Sequence, residues 1–178
     1  MSTDYITIPL SKNGTKHNGK YEAIISIEDA DLAELCWVAS HSRYVIYADR
    51  LITIDGKRIK QKLHRVILGR KLGRELLPTE YVDHANGIGT DNRRVNLRLA
   101  TGSQNQANSR KRNNKASQYK GVSRKKGAKA KQWFAQIRID NKLIHLGYFL
   151  TEEEAYRAYC EKAKELFGEF ANFGNHSE

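Results

Sequence analysis

Residues 81–110, YVDHANGIGTDNRRVNLRLATGSQNQANSR, decide the fold of the central part of this chain. Two short apolar runs flank a polar loop that contains two glycines, and residues compatible with a helix follow. Thr101 or Ser103 is placed to cap that helix with its side-chain oxygen. The predicted order is strand, loop, strand and helix, over residues 81–82, 85–94, 96–100 and 104–111.

Four polar side chains of this stretch have the chemistry that phosphodiester hydrolysis needs. Asp83 can bind a hard cation through oxygen, and His84 can take a proton from water near neutral pH. Asn96 can pin the intervening loop, and Asn105 can offer an amide oxygen to the cation from the following helix. A divalent ion screens the phosphate charge and stabilises the departing oxygen. The four residues therefore predict a site with one metal ion that cuts phosphodiester bonds.

Other polar residues near this motif have less specific interpretations. Asn86 stands beside Gly87, and Asp91 and Asn92 follow Gly89 by two and three residues, so we interpret all three as loop formers and not as ligands. Two interpretations of His64 stay open. Either it lines a cleft and contacts phosphate together with Arg65, or it is a packed or solvent-facing histidine. Because of this ambiguity, we leave His64 out of the predicted catalytic set.

The composition of the 178 residues allows one ordinary domain or two small ones. No stretch approaches the roughly 20 apolar residues that a membrane-spanning helix needs. The N-terminus lacks a signal pattern, and Cys36 and Cys160 form no CxxC motif. We therefore expect a soluble intracellular protein that has neither a structural zinc site nor disulfides, and that uses no membrane and no small-molecule substrate.

Positive charge is concentrated in one part of the chain. The formal net charge is +11, which favours polyanionic partners through phosphate contacts. Residues 110–131 contain ten Lys or Arg and no Asp or Glu. This segment is either a solvated linker or a contact to the DNA backbone, and its place between two compact segments favours the DNA contact.

The C-terminal third predicts a small sheet packed on one helix. Residues 133–139 and 142–149 alternate apolar and polar side chains around a turn at Asp140-Asn141. A two-residue turn would pair Ile137 with Ile144, Ala135 with Leu146 and Trp133 with Tyr148 on the apolar side. It leaves Gln136, Arg138 and His145 on the free side.

A helix follows this hairpin. Thr151 and Glu154 form a capping box at its start, and Gly168 ends it. Its apolar residues fall on one face, which predicts packing against the apolar side of the sheet. They are Tyr156, Tyr159, Cys160, Ala163 and Phe167.

The central motif, Asp83-His84, Asn96 and Asn105, resembles the HNH family of ββα-metal endonucleases, in particular its phage-encoded and intron-encoded members. The resemblance covers about His64 to Arg112, with asparagine as the third letter of the motif. It implies that His84 is the general base and that Asn96 braces the loop. It also implies that Asp83 and Asn105 bind one Mg²⁺ or Mn²⁺ ion per active site.

Residues 119–173 resemble the AP2 DNA-binding domain, a three-stranded antiparallel sheet with one packed helix. The matching segments are 119–122 (YKGV), 133–138 (WFAQIR), 146–149 (LGYF) and the helix from 154 to 159. The resemblance implies that the free face of the sheet enters the major groove. The implied DNA contacts are Arg124, Lys125, Gln136, Arg138 and His145, although plant members have Glu and Trp where Gln136 and His145 stand.

Together these features predict an α+β protein: a ββα-metal HNH nuclease domain followed by an AP2-like three-stranded antiparallel sheet packed on one helix. The expected divisions are a strand-rich region of unclear role over 1–60, a nuclease core over 61–112, a basic linker over 113–118 and an AP2-like domain over 119–173. We expect a site-directed endonuclease of the homing type that acts on double-stranded DNA and leaves 5′-phosphate and 3′-hydroxyl ends. The alternatives are a non-catalytic transcription regulator and a structural RNA-binding protein.

Overall fold

The computed structural model describes residues 4–11, 21–42, 45–111, 117–125, 127, 130 and 132–174. The chain divides into two compact units, Met1–Leu99 and Ala100–Glu178. Most of the predicted linker, over 113–116, lies outside the described residues. Within the described ranges, no helix is both long and apolar enough to cross a membrane.

The first unit contains three small sheets and one α-helix in its described part. An antiparallel pair, β1–β2, is extended by a short parallel strand, β7, and a separate antiparallel sheet has the order β3-β4-β5. The strands β6 and β8 form a third sheet. The bounds are β1 Tyr5–Leu10, β2 Tyr21–Ser26, β3 Val38–Ser42, β4 Val45–Ile54, β5 Lys57–Lys62, α1 Leu63–Leu72, β6 Tyr81–His84, β7 Asp91–Asn92 and β8 Leu97–Ala100.

The core of this unit lies between the first sheet and α1. Ile8 and Ile25, on the inner face of β1 and β2, pack with Leu63 and Ile67 of α1, and each of the four is at most 1% exposed. Burial of one such side chain contributes about 1.5–3 kcal/mol. Trp37 joins the same core and donates its Nε1–H to the carbonyl of Leu32 at 2.8 Å.

The N-terminal sheet also fixes the loop between β6 and β8. Ile24 pairs with Asp91 and Ile25 pairs with Asn92, in parallel. The amide of Ile24 donates to the carbonyl of Thr90 at 2.8 Å. Part of the region 1–60 thus has a structural role, because it anchors the polar loop that follows His84.

The second unit contains the helix α2, a three-stranded antiparallel sheet and the helix α3. The sheet has the order β11-β10-β9, and α3 contacts all three strands. Capping boxes begin both helices, at Thr101 and at Thr151, and Gly168 caps the end of α3. The predicted cap and end of α3 are thereby confirmed. The bounds are α2 Gly102–Asn108, β9 Val122–Arg124, β10 Trp133–Ile139, β11 Lys142–Phe149 and α3 Glu152–Phe167.

A β-bulge corrects the predicted register of the β10–β11 hairpin. Ile137 pairs with Ile144 as predicted, but the register shifts between Ala135 and Gln136. An extra residue enters β11 at this point, so Ala135 pairs with Gly147 and Trp133 with Phe149.

The bulge also changes the face on which Tyr148 lies. It pairs with Phe134, not with Trp133, and its ring contacts His145 at a centroid distance of 4.6 Å. The prediction that Tyr148 lies on the apolar side with Trp133 was therefore wrong, and it joins the free side, where it is 45% exposed.

Gly121 is the position of the second unit where an added methyl group should cost most. Its φ is +73°, and a Cβ there would overlap the ring of the buried Tyr159. Left-handed backbone costs a residue other than glycine about 1–2 kcal/mol, and overpacking costs about 1–3 kcal/mol more. We expect Gly121→Ala to lower the free energy of unfolding by about 2–5 kcal/mol, measured by urea denaturation followed by circular dichroism.

Gly127→Ala is the matched control for this prediction. Gly127 has a φ of +76°, and no described atom lies within 4 Å of its added Cβ. It shares the backbone cost and lacks the overlap, so it should lose only about 1–2 kcal/mol. Equal losses in the two variants would show that the contact with Tyr159 contributes nothing.

Candidate active site

His84 ends β6 and is held by a buried amide. It is 6% exposed, and its Nε2 lies 3.3 Å from Oδ1 of Asn92, which is completely buried. Asn92 is itself fixed, because its Nδ2 donates to the carbonyl of Thr90 at 3.1 Å. Because Nδ2 of Asn92 is the atom that donates to Thr90, the other amide atom, Oδ1, is the one that faces His84.

This contact determines the tautomer of the imidazole. An amide oxygen can only accept a hydrogen bond, so Nε2 of His84 must be the donor. In the neutral ring, the lone pair is then on Nδ1. Burial lowers the pKa of His84 below 6.5, even though the hydrogen bond that His84 donates to Asn92 and the charges of Asp83 and Asp91 raise it. The ring is therefore predominantly neutral near pH 7, the form that can accept a proton.

Two further rings pack against His84. His64 meets it edge to face at a centroid distance of 5.3 Å, and Tyr47 contacts both histidines at 5.3 and 5.9 Å. His64 is 7% exposed, and its Nδ1 is buried without a hydrogen-bond partner. Burial, then the charge of His84, lowers the pKa of His64 well below 6.5. Of the two open interpretations, the structure favours a packed histidine.

Arg65 does not act with His64 on a phosphate in this arrangement. Its guanidinium donates to the carbonyls of Glu80, Leu76 and Leu77 at 2.7, 3.0 and 2.9 Å. These bonds tie α1 to the segment before β6. The suggestion that Arg65 contacts phosphate is replaced by this structural role.

Asn96 connects the two ends of the loop after His84. Its Oδ1 accepts from the amide of Asn86 at 3.0 Å, and its Nδ2 donates to Oδ1 of Asn86 and to the carbonyl of Asp91 at 3.0 and 2.7 Å. Asp91 also forms an ion pair with Arg93, with Nη2 and Oδ2 2.7 Å apart. These side-chain hydrogen bonds and this ion pair therefore hold both ends of the loop in place.

Asp83, the predicted metal ligand, is buried beside an arginine. It is 2% exposed, and its Oδ2 accepts from Nε of Arg98 at 2.8 Å. The described residues contain no group of three or more His, Cys, Asp or Glu side chains arranged to hold a metal. One carboxylate and one amide oxygen are donors that suit a hard divalent cation such as magnesium, which keeps several of its water ligands.

The other predicted ligand, Asn105, lies on α2 in the second unit. Its amide donates to the carbonyl of Thr101 at 3.0 Å, so it belongs to the first turn after the cap. Asp83, His84 and Asn96 all lie in the first unit. The role of Asn105 as a ligand stays a prediction from the sequence.

The predicted DNA contacts of the second unit fall on two sides of its sheet. Gln136 pairs with His145 on the free face, and Arg138 lies two residues further along β10 on the same face. Lys125 reaches this face, with Nζ 4.8 Å from the ring centroid of Tyr148. Arg124 pairs with Trp133 and lies over its ring, on the other face.

Asn92 is the site residue that sequence reasoning missed. It was interpreted as a loop former because its neighbours are typical of turns. The available signal was its place in Asp91-Asn92-Arg93, but nothing local indicates that its side chain turns inward to His84. That orientation depends on the pairing of β7 with β2.

Comparisons with known proteins bear on this region. Residues 61–107 match the family model described as HNH endonuclease. A protein of Acanthamoeba polyphaga mimivirus, named as an uncharacterized HNH endonuclease, is 35% identical over 112 residues, which cover 63% of this chain and 56% of that protein. The chain thus spans about half the length of this relative. No solved structure matches this chain. Residues 61–107 are therefore similar in sequence to HNH endonucleases.

Proposed function

We propose that this chain is a metal-dependent endonuclease that hydrolyses phosphodiester bonds of double-stranded DNA, as a site-directed enzyme of the homing type. The observation that carries the proposal is the contact between His84 and Asn92, because it leaves a neutral imidazole with its lone pair on Nδ1. The match of residues 61–107 to the HNH endonuclease model supports the same chemistry.

His84 acts as the general base. Nδ1 takes a proton from a water molecule, and the water oxygen forms a bond to phosphorus while the bond from phosphorus to the 3′ oxygen breaks. The products are a 5′-phosphate and a 3′-hydroxyl. Asn92 keeps the proton on Nε2, and the rings of His64 and Tyr47 restrict the orientation of the imidazole.

HNH nucleases generally use a divalent metal ion. Asp83 and Asn105 are the proposed ligands, and a bound Mg²⁺ or Mn²⁺ would stabilise the charge that develops on the phosphate and on the leaving oxygen. Arg98 holds the Asp83 carboxylate in place through its 2.8 Å hydrogen bond. Asn96 maintains the loop that carries Asn92.

The second unit is the proposed reader of DNA sequence, as an AP2-like module. Lys125, Gln136, Arg138 and His145 line the free face of its sheet, and Arg124 would contact the backbone from the other side. None of the three strands carries an acidic residue, so a polyanion meets no repulsion from the sheet. Base contacts from such a face would give sequence preference, and the cations would give affinity.

Two variants of Asn92 test the proposal through conversion of supercoiled plasmid in the presence of Mg²⁺. Asn92→Leu has a similar size and removes the acceptor for Nε2–H, so we expect cleavage to slow by about 10–100-fold. Asn92→Asp keeps an acceptor at that place and should retain most of the activity. Nitrogen NMR shifts of His84 should show the Nε2–H tautomer in the unaltered chain and in Asn92→Asp, and a mixture in Asn92→Leu.

Three outcomes are informative about the alternatives. Cleavage that needs Mg²⁺ and is lost with EDTA supports the endonuclease. Tight duplex binding without cleavage of a plasmid library that contains varied sequences would favour the non-catalytic DNA-binding regulator. A clear preference for structured RNA over duplex DNA in competition would overturn both DNA proposals.

A further inference from the structure

The hairpin of β4 and β5 extends beyond the sheet to which it belongs. The last pair between β3 and β4 is Val38 with Asp49, whereas β4 continues to pair with β5 as far as Ile54 with Lys57. Residues 50–61, here named the ribbon, are therefore two-stranded in the described part of the chain. A turn at Asp55-Gly56 closes the ribbon, and both turn residues have positive φ.

The ribbon is basic and mostly exposed. Lys57, Arg58 and Lys60 are all exposed, and the only acidic residue within the ribbon is Asp55 at the turn. Lys60 lies 3.6 Å from Asp49 at its base. No ion pair involves Lys57 or Arg58 within the described ranges. Their charges are thus available to a partner.

One face of the ribbon combines cations with an apolar side chain. Leu51 pairs with Lys60 and Thr53 pairs with Arg58, and residues that pair directly lie on the same face. Leu51 is 67% exposed, so most of its apolar side chain lies outside the core. A face of this kind suits a partner with negative charges around an apolar surface.

The opposite face of the ribbon lies toward α1. Ile52, Ile54 and Ile59 line a groove of about 670 Å³ together with Val66 and Gly69 of that helix. This face is therefore partly covered by the protein itself. The face of Leu51, Thr53, Arg58 and Lys60 is the one that remains for a partner.

We propose that the ribbon binds duplex DNA in the major groove, as a contact separate from the second unit. The five cross-strand pairs of the ribbon span about 17 Å, and a two-stranded ribbon fits a major groove about 12 Å wide. Arg58 contacts a phosphate from this face, and Thr53 and Leu51 face the base edges. Lys57 pairs with Ile54 on the other face but stands next to the turn, and it contacts a phosphate from the tip of the ribbon. The apolar side chain of Leu51 would contact the methyl group of a thymine, which is exposed in the major groove.

This inference deepens the proposed function and rests on it, since it assigns a role to the first unit in holding the DNA. The ribbon leads directly into α1, which begins at Leu63 and carries His64 beside His84. Binding by the ribbon would thus fix DNA to the same unit that holds the general base. Affinity would arise from the phosphate contacts, and their loss would change its dependence on salt.

The experiment measures binding by the His84→Ala protein in EDTA, so that no cleavage is involved. Fluorescence anisotropy of a labelled 30-base-pair duplex of random sequence gives Kd over a range of salt concentrations. The test variant adds Lys57→Ala and Arg58→Ala. The matched control adds Arg157→Ala and Lys164→Ala, which remove the same charge from exposed positions of α3.

We expect the ribbon variant to reduce the slope of log Kd against log salt by about two and to weaken binding at low salt by about tenfold. The control should change neither quantity appreciably. Lys57→Arg with Arg58→Lys should restore the slope, because the charges return. Urea denaturation confirms that each variant remains folded.

Equal effects in the ribbon variant and the control would show that only net charge matters, and would overturn the proposal. So would an unchanged slope in a folded ribbon variant, or a loss seen with single-stranded DNA or RNA and not with the duplex. Failure of the endonuclease proposal is distinguishable, because it appears as absence of cleavage by the unaltered chain in Mg²⁺ while this binding assay still reports on the ribbon.

Discussion

The His84→Ala protein is expected to bind duplex DNA as the unaltered chain does and to cleave it about a thousandfold more slowly. Alanine cannot accept the proton of the attacking water. Among the described residues of the first unit, no other imidazole occupies the position of the His84 ring. His64 does not replace it, because its ring is packed edge to face against His84 with the ring centroids 5.3 Å apart, and its nitrogens therefore do not occupy the position that His84 leaves. The rate is measured as the conversion of supercoiled plasmid to open-circular or linear DNA.

Two controls separate lost chemistry from lost structure. His41→Ala removes an exposed histidine from β3 in the same unit, and we expect it to leave cleavage unchanged. Added imidazole should partly restore cleavage by His84→Ala, because the removed ring leaves space beside Tyr47 and His64. A folded His84→Ala protein that cleaves at the normal rate would exclude His84 as the general base.

Asp83→Asn should lower cleavage by about a hundredfold to a thousandfold at limiting Mg²⁺ and raise the metal concentration needed for half-maximal rate. The substitution keeps the shape of the side chain and removes its charge, so the ligand becomes weaker. It also leaves the half-buried Arg98 without its 2.8 Å ion-pair partner, which should lower stability as well. Calorimetric titration with Mn²⁺ gives the metal affinity without reference to cleavage.

Asp31→Asn is the matched control for Asp83→Asn. Asp31 also forms an ion pair with an arginine, Arg70, at 2.7 Å, but its side chain is 61% exposed. We expect little effect on stability, because the pair is exposed to solvent, and no change in the metal requirement. If Asp83→Asn bound Mn²⁺ as tightly as the unaltered chain, Asp83 would not be a metal ligand.

Much of the secondary structure could be predicted because its signals are local. The capping box at Thr151 and Glu154 and the stop at Gly168 lie within a few residues of the turns that they fix, and the structure has α3 between them. The strand, loop, strand and helix order of residues 81–110 is also present, with β6, β8 and α2. Caps and apolar periodicity depend on neighbours in sequence, so no tertiary information is needed.

The register of the last hairpin could not be predicted in full. The turn at Asp140-Asn141 fixes the pairs next to it, including Ile137 with Ile144. It does not determine the pairs beyond the bulge near Ala135. Gly147, with a φ of +128°, adopts the backbone conformation that the bulge requires. A glycine in a strand signals such an irregularity without fixing which residue is displaced.

The sequence by itself determined which chemistry this protein could carry: a carboxylate and an imidazole side by side in Asp83-His84, with a helix-capping residue and amide side chains after them. These features depend on residue type and spacing. Only the tertiary structure decided how the imidazole is held. Asn92 bonds to His84 because β7 pairs with β2, more than sixty residues earlier in the chain, and His64 reaches the same ring from α1. Contacts between such distant segments follow from packing of the whole unit, because local sequence preferences carry no information about which distant strand will be the partner.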